Sequence, residues 1–449
     1  MKILLISPNT LTVPYPVYPL GLDYVAGAVD SRHQVRIADM NVMDLEELAR
    51  LLVDYRPEII GISCRNIDNT EAGNPRFFID GHRQLVTWLR ARSAATIVCG
   101  GSGFTIMPER VFPALGADYG IIGEGERFGL LVEALDQGQD PRVIPGVLSA
   151  ATAAGVAPPP WDGERTRAFR PDSAQLDFYL RRGGMLNLQS KRGCSFSCIY
   201  CPYPRIEGKT HRLVPPAEVA RTALALQAAG ARYFFVTDSA FNSDIAHSLA
   251  VAQAFKSTGV AIPWGGFFAP VRLPPDYFAI MADAGLKHVE FGTESLSAAM
   301  LRTYRKPFAV DDVLAAHAQA RRARLHTAHY FLLGGPGESA ATVSESLEQI
   351  ERLERAALFF FIGIRIYPGT RLYDIALAEG KISPATDLLP PVYYTADALS
   401  REAIESLVSA RAGGRMNWIV GSGGEQSAAT VSHLYERGMS GPLWEFLAR

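Results

Sequence analysis

The chain has 449 residues, of which 48% are hydrophobic, and a formal net charge of −2. This length can bury a large core and predicts two or three domains. The near-neutral charge disfavours nucleic acid as the main partner, because phosphate binding needs an excess of Lys and Arg. Apolar stretches of about 18 residues, the length that spans a membrane, do not occur, and the apolar start is too short for a signal peptide. We therefore expect a cytoplasmic protein without a membrane partner.

Residues 1–136 alternate short apolar runs with amphipathic segments, a pattern typical of a parallel sheet covered by helices. Leucines at helical spacing predict a helix over residues 44–55. The predicted strands are 2–7, 34–38, 58–64, 96–100 and 119–122. We therefore expect an N-terminal Rossmann-like α/β domain.

Polar and glycine-rich stretches follow three of these strands. They are Arg65-Asn66, Gly100-Gly101-Ser102-Gly103 with Thr105, and Gly123-Glu124-Gly125-Glu126. Because the carboxyl ends of parallel strands meet at one edge, a ligand cleft is expected there. Glycines allow a ligand to approach the backbone closely, but tight strand-to-helix turns explain them equally well.

Residues 137–183 lose the alternation and contain Pro158-Pro159-Pro160, which predicts a linker. Strand-like runs resume at 185–189, 233–242, 264–268, 288–295, 329–338 and 360–370, and most turn polar at their carboxyl ends. Such strand ends face the active site of a β/α barrel. We assign residues 184–380 to this second domain and residues 381–449 to a small C-terminal cap that shapes substrate choice.

Cys194, Cys198 and Cys201 stand within eight residues, directly after the first strand of the second domain. Thiolates are soft ligands that select iron-sulfur clusters or zinc. Three of them leave one position without a protein ligand, where chemistry can occur. Zinc ligands usually come as paired doublets, and a second doublet is lacking, so the spacing favours a cluster. Cys64 and Cys99 each end an apolar run and are read as buried small hydrophobes, with a ligand or redox role as the alternative.

The spacing Cys194-x3-Cys198-x2-Cys201, with Tyr200 before the last cysteine, resembles the signature of the radical S-adenosylmethionine (SAM) superfamily. This resemblance implies a 4Fe-4S cluster on the three cysteines, SAM on its fourth iron and a partial, six-stranded (β/α)6 barrel. It also implies an electron donor such as flavodoxin or ferredoxin, because an injected electron cleaves the sulfonium.

The same resemblance suggests the residues that contact SAM. Tyr200 would pack beside the adenine, and the Gly-x-Glu-Ser strand would place Glu294 and Ser295 at the ribose and amino-acid end. The remaining SAM-binding candidates are Asp238, Ser239, Gly335 and Arg365. From the residues alone, Glu294 could instead form a structural ion pair, and Arg305 and Lys306 could be a solvated pair.

The layout Gly100-Gly-Ser, Pro108-Glu109, Asp118 and Gly123-Glu-Gly-Glu resembles the cobalamin-binding domain that precedes many radical SAM enzymes. The implied cobalamin contacts are Arg65, Asn66, Gly101, Ser102, Thr105, Gly123, Glu124 and Gly125. The Asp-x-His-x-x-Gly motif of corrinoid domains with a histidine ligand is lacking, since the domain has only His33 and His82 in other contexts. Protein imidazole is therefore not expected on the cobalt.

Together these resemblances imply an enzyme that cleaves SAM reductively and alkylates a small metabolite, most simply by cobalamin-dependent methyl transfer that consumes two SAM molecules. One alternative is cobalamin-free chemistry, either a rearrangement or transfer of the 3-amino-3-carboxypropyl group. Another is a non-enzymatic iron-sulfur or corrinoid carrier, although the polar strand ends argue against it.

Overall fold

The computed structural model describes residues 1–12, 15–151 and 157–448. It contains a six-stranded sheet at the N-terminus, parallel except for its last strand, and a parallel seven-stranded sheet after it. The helices are α1 (Leu20–Gly27), α2 (Leu45–Tyr55), α3 (Ile79–Arg90), α4 (Ser102–Ile106), α5 (Pro108–Leu115), α6 (Arg127–Asp136), α7 (Ala174–Arg181), α8 (Tyr203–Ile206), α9 (Pro216–Ala228), α10 (Ile245–Thr258), α11 (Tyr277–Asp283), α12 (Ala298–Thr303), α13 (Val310–Arg322), α14 (Ala340–Ile350), α15 (Arg371–Ala378), α16 (Arg401–Ala412) and α17 (Gly424–Glu436).

The first sheet has the order β2-β1-β3-β4-β5-β6. Its strands are β1 (Lys2–Ser7), β2 (Gln34–Asp39), β3 (Ile59–Ser63), β4 (Thr96–Gly100), β5 (Tyr119–Ile121) and β6 (Val147–Ser149). The five predicted strands are confirmed within one residue at each end, because β1, β3 and β4 are almost continuously apolar and buried on both faces. Asp44 caps α2 in a capping box with Glu47, so the helix begins at Leu45.

The segment predicted as a linker carries two elements. β6 pairs antiparallel with β5 and extends the first sheet, and α7 packs against the first strand of the second sheet. A strand of three residues is too short to show a period in sequence, which explains why it was not predicted.

The second sheet has the order β17-β14-β13-β12-β11-β10-β7. Its strands are β7 (Met185–Leu188), β10 (Tyr233–Val236), β11 (Trp264–Phe268), β12 (Leu286–Glu294), β13 (His326–Leu333), β14 (Ala356–Ile362) and β17 (Trp418–Val420). Four short strands form two small ribbons, β8 (Lys191–Arg192) with β9 (Arg212–Leu213) and β15 (Ile364–Arg365) with β16 (Tyr393–Tyr394). The six predicted barrel strands are present, and the C-terminal segment adds a seventh strand, β17, beside β14.

We call the region next to the face of this sheet that carries Tyr233 and Phe235 the barrel lumen. Met185, Tyr233 and Phe235 lie together on this face, with Tyr15 packed against them. A 3-10 helix at Leu443–Ala448 covers the end of the lumen that lies opposite the cysteines. Its Trp444 packs on Phe359 and the neighbouring residues. The C-terminal region is therefore part of the barrel as well as a cap.

The two domains share one hydrophobic core. Ile62 and Cys64 of the first sheet belong to the same buried cluster as Ile364 and Leu372 of the second domain. Within the described residues, no helix is long and apolar enough to cross a membrane.

Candidate active site

The three clustered cysteines lie on a loop that follows β8. Gly193 enters this loop with φ +89°, and a Cβ there would lie 2.1 Å from the Thr210 carbonyl oxygen, so only glycine fits. Ile199 fixes the middle of the loop. Its N–H donates to the Tyr304 carbonyl at 3.3 Å, and its carbonyl accepts from the Leu372 N–H at 2.8 Å. The loop is thus held between α12 and α15.

The cysteine thiols lie in surroundings that disfavour the free thiolate. Burial raises the pKa of Cys198 and raises that of Cys201 to about 12. Binding of a metal would therefore release protons, as thiolate ligation requires. Among the described residues, no three His, Cys, Asp or Glu side chains converge on one ion position. Three soft thiolates on one loop nevertheless fit the ligand chemistry of an iron-sulfur cluster.

Tyr200, Glu294 and Lys306 form a connected group beside the cysteines. The Tyr200 hydroxyl donates to Glu294 Oε1 at 2.7 Å, and Lys306 Nζ lies 2.8 Å from Glu294 Oε2 and 3.3 Å from the Tyr200 oxygen. Glu294 has φ +58° and follows a register shift in β12, an unusual conformation for a non-glycine residue. Strain of this kind is common where a side chain must point at a ligand.

Lys306 is not solvated, so that interpretation was wrong. Only 7% of its side chain is exposed. Burial disfavours its charge, but the carboxylate of Glu294 and the thiolate of Cys198 outweigh burial and raise the pKa of Lys306. Lys306 therefore stays charged and close to the cluster loop, whereas Arg305 is exposed.

Asp238 is fully buried and its hydrogen bonds are internal. It accepts from the Ser190 N–H at 2.8 Å, from the Ser190 hydroxyl at 2.5 Å and from Lys191 Nζ at 3.1 Å. Its carboxylate thus fixes the turn from which the cysteine loop starts. This geometry supports a positioning role for Asp238 rather than direct contact with SAM.

The other four predicted SAM residues have different surroundings. Ser295 bonds the Ser346 hydroxyl at 2.9 Å, and Arg365 pairs with Asp68 at 2.8 Å across the domain boundary. A Cβ at Gly335 would lie 2.4 Å from the Tyr304 ring. Ser239 Oγ is buried without a hydrogen-bond partner among the described residues. The structure therefore brings Tyr200 and Glu294 to the cysteines, and it places Ser295, Gly335 and Arg365 in packing contacts.

A cavity opens at the carboxyl edge of the first sheet and encloses about 1040 Å³ of space continuous with solvent. Five predicted cobalamin residues line it, namely Gly101, Ser102, Gly123, Glu124 and Gly125. Arg65, Asn66 and Thr105 are not among its lining residues. Thr105 instead joins the two glycine loops, since its hydroxyl donates to the Gly101 carbonyl and accepts from the Gly123 N–H, both at 2.9 Å.

Helix α1 forms a wall of this cavity that the sequence did not indicate. Gly21, Leu22 and Val25 line it, and a Cβ at Gly21 would meet nothing within 4 Å. Gly101 and Gly125 are needed for packing within the protein. A Cβ at Gly101 would lie 2.9 Å from the Cys64 carbonyl oxygen, and a Cβ at Gly125 would lie 2.5 Å from the Val25 side chain. These two glycines accommodate the protein itself, and not only a ligand. No histidine is among the lining residues described.

The cavity reaches the cysteine domain through a buried charge network. Arg192, two residues before Cys194, lies 3.0 Å from Glu124 and 2.7 Å from Glu126. Arg212 lies 2.7 Å from the other oxygen of Glu124. Burial opposes the charge of Glu124, but Arg212 and Arg192 outweigh it and lower the pKa of that carboxyl. Gln189, Ile206 and Glu207, which flank the cysteine loop, also line the cavity.

Two family models match this chain. The B12 binding domain matches residues 6–130, and the Radical SAM superfamily matches residues 188–350. Similar curated proteins include tryptophan 2-C-methyltransferase of Streptomyces laurentii, 25% identical over 81% of this chain and 72% of that protein. Another is cytidylyl-2-hydroxyethylphosphonate methyltransferase of Streptomyces wedmorensis, 22% identical over 87% of this chain and 84% of that protein.

Solved structures share the fold over the whole chain. The radical SAM methyltransferase TsrM from Kitasatospora setae, solved with tryptophan and a SAM analogue, aligns with a TM-score of 0.86 at 22% identity. The alignment covers 100% of this chain and 98% of that one. The cobalamin-dependent radical SAM enzyme OxsB aligns with a TM-score of 0.68 at 14% identity, over 88% of this chain and 64% of that one. The fold thus agrees with the two family models, which identify this chain as a radical SAM enzyme with an N-terminal B12-binding domain.

Proposed function

We propose that this enzyme is a cobalamin-dependent methyltransferase that moves the methyl group of SAM to a small-molecule acceptor. The cavity of the B12-binding domain carries this proposal, because Gln189, Arg192 and Glu207 beside the cysteine loop form one of its walls. A cofactor held there would lie next to the cluster and SAM. The curated relatives named above are methyltransferases, which supports the same reaction.

The residues present fit the three cofactors. Cys194, Cys198 and Cys201 would hold the 4Fe-4S cluster. Glu294 and Lys306 offer a carboxylate and an ammonium for the polar groups of SAM, and the cavity bounded by Gly21 and the two glycine loops offers room for part of a corrinoid. When bound, cobalamin supplies a metal able to carry a methyl group between donor and acceptor.

We propose an aromatic acceptor, bound in the barrel lumen. Phe235 and Phe267 meet edge to face at 5.0 Å, and Tyr330 stacks on Phe359 at 5.0 Å. Phe267 remains 39% exposed although it lies within β11, so an aromatic surface is open to a ligand. Asn187 faces Phe235 across the sheet register, and its buried Oδ1 has no hydrogen-bond partner among the described residues. An N–H group on the acceptor would satisfy it.

We further propose that an acidic electron donor, such as flavodoxin or ferredoxin, docks beside the cluster loop. Tyr304 and Leu372 bond the two sides of Ile199, and the exposed Arg302, Arg305 and Arg371 lie next to them in sequence. A positive surface at this position complements an acidic donor.

The test is a methyl-transfer assay with anaerobically reconstituted protein, radiolabelled SAM and a panel of aromatic amino acids and other aromatic metabolites. We expect label in at least one aromatic acceptor and S-adenosylhomocysteine as a product. Release of 5'-methylthioadenosine would instead support aminocarboxypropyl transfer. An unlabelled isomer of the acceptor would support a rearrangement.

A further inference from the structure

The inner face of β12 carries a column of polar groups from the cysteine end of the lumen towards its floor. Side chains alternate along a regular strand, so His288, Glu290 and Gly292, which precede the register shift, share one face. Glu294 lies at the SAM end, as described above. Tyr330 of β13 pairs in register with Gly292, and the next residue of β13, Phe331, pairs with Glu294 after the register shift. The Tyr330 ring belongs to the aromatic surface proposed for the acceptor, since it stacks on Phe359 and meets Phe267 edge to face.

Four side chains connect this layer to the outside. The Tyr330 hydroxyl donates to Glu290 Oε2 at 2.8 Å, and Glu290 Oε1 lies 3.5 Å from His288 Nε2. His288 Nδ1 lies 3.1 Å from Glu445 Oε1. The Tyr233 hydroxyl strengthens this last step, because it lies 2.5 Å from His288 Nδ1 and donates to Glu445 at 2.8 Å.

Solvent exposure increases along this chain of contacts from His288 and Glu290 to Glu445. His288 is 0% exposed and Glu290 is 3% exposed, whereas 13% of the Glu445 side chain reaches solvent. The chain thus begins in the lumen and ends at the surface beside the C-terminal 3-10 helix.

Two details concern the His288 imidazole: the neighbouring strand leaves space for its ring, and one of its two nitrogens lacks a hydrogen bond among the described residues. A Cβ at Gly265 of β11 would lie 2.0 Å from the His288 ring, so the neighbouring strand needs glycine to admit it. His288 Nε2 is buried and makes no hydrogen bond among the described residues. A purely structural network normally satisfies such an atom. A side chain that passes protons between changing partners does not need a permanent hydrogen bond at this atom.

We propose that Tyr330, Glu290, His288 and Glu445 form a proton-exit path that serves methyl transfer in the lumen. This inference rests on the proposed methyltransferase function. It applies to the redox-neutral form of that reaction, which uses one SAM per turnover and forms no adenosyl radical, and not to the two-SAM radical route. In this form substrate–H and SAM give methylated substrate, S-adenosylhomocysteine and one proton. The electron pair of the broken bond to hydrogen stays on the substrate, and the electron pair of the broken S–CH3 bond stays on the sulfur of S-adenosylhomocysteine. The released proton passes from Tyr330 and Glu290 through His288 to Glu445 and then to water.

The competing explanation is that the network only anchors the C-terminal segment. Trp444 allows the two roles to be separated, because its Nε1–H donates to Glu290 at 3.1 Å without belonging to the path. Trp444→Phe therefore removes one anchoring hydrogen bond and keeps every proton-carrying group. Tyr330→Phe and Glu445→Gln remove proton carriers and keep most of the packing.

The test compares steady-state methylation by these variants at equal cluster content. Tyr330→Phe and Glu445→Gln should lower kcat by at least about 100-fold with little change in KM, since proton transfer by a positioned group contributes that much. Glu445→Gln should also enlarge the solvent deuterium isotope effect, and formate should partly restore kcat in Glu445→Ala. Trp444→Phe should keep the wild-type isotope effect. Wild-type kcat in both path variants, or an equal loss in Trp444→Phe without an isotope effect, would overturn the proposal.

A second measurement remains informative if no acceptor is found and the proposed function itself fails. In the full chain labelled with 15N-histidine, His288 should exchange its proton between Nδ1 and Nε2, and Glu445→Gln should fix one tautomer. A single, unchanging tautomer in the wild-type protein would contradict a relay whatever the substrate is.

Discussion

Glu294 and Lys306 form a partly buried ion pair at the edge of the cysteine loop, with Oε2 and Nζ 2.8 Å apart. Tyr200 donates to the other oxygen of the same carboxylate. The pair is thus a preformed polar surface beside the loop of Cys198 and Cys201, whose negative charge as thiolates would raise the pKa of Lys306 further. A zwitterion such as the amino-acid end of SAM can bind to such a surface.

Replacing either member of this pair should weaken SAM binding and leave the cluster in place. A charge-assisted hydrogen bond is worth about 1.5 to 3 kcal/mol, so Glu294→Gln and Lys306→Met should each raise the Kd of SAM by about tenfold or more. Titration of SAM into protein of known iron content measures this. Arg305→Met is the matched control, because Arg305 is the exposed neighbour. Unchanged binding in both variants would make the pair purely structural.

Asp238→Asn should impair cluster assembly rather than SAM affinity. Removing its charge leaves Lys191 buried without its counter-ion, which typically costs about 3 to 5 kcal/mol. We expect a lower Tm and less iron per chain, measured by thermal unfolding and metal analysis. SAM should bind normally to the fraction that retains its cluster. A stable variant with full iron and weak SAM binding would restore Asp238 to the SAM pocket.

Gly21→Leu should prevent cobalamin binding by filling the cavity. The new side chain has no protein neighbour within 4 Å of its Cβ, so the fold should tolerate it. Gly81→Leu is the control, because Gly81 also lies in a helix with open space around its Cβ. Spectroscopic titration with hydroxocobalamin should show stoichiometric uptake by the control alone. Equal uptake by both variants would place the corrinoid elsewhere.

The domain contact through Glu124 should weaken in acid. Folding lowers the pKa of the Glu124 carboxyl, so its ionised form stabilises the folded protein. This stabilisation is complete at pH values above the pKa of Glu in the unfolded chain, about 4.3, and is lost as the pH falls through the lower pKa of the folded protein. Thermal unfolding of the protein without cofactors between pH 7 and pH 3 should show this loss. Arg192→Met should reduce the dependence. An identical pH profile in that variant would assign the acid sensitivity to other groups.

The sequence predicted the parts of this protein that depend on local pattern. The cysteine spacing indicates the loop that we expect to hold the cluster. The apolar runs predict β1 to β5 and six barrel strands, because period and composition are local properties. The three-residue strands β6 and β17 gave no such signal, since their place depends on pairing with distant strands.

Tertiary contacts decided the roles of the individual polar residues. Sequence placed Asp238, Glu294 and Arg365 at strand ends, but only the fold shows that Asp238 holds the loop start and that Arg365 meets Asp68. The sequence neighbours of Lys306 give no indication that its side chain is buried. The α1 wall of the cavity likewise depends on how a helix packs on the sheet.

Transfer of a trideuteromethyl group from labelled SAM tests the central claim most directly. Protein reconstituted with iron, sulfide and hydroxocobalamin should place the intact label in an aromatic acceptor, as read by mass spectrometry. The transfer should vanish without cobalamin and in each of Cys194→Ala, Cys198→Ala and Cys201→Ala, whose thiolates act as one ligand set. Label transfer that persists without cobalamin, or in a cysteine variant, would contradict the account.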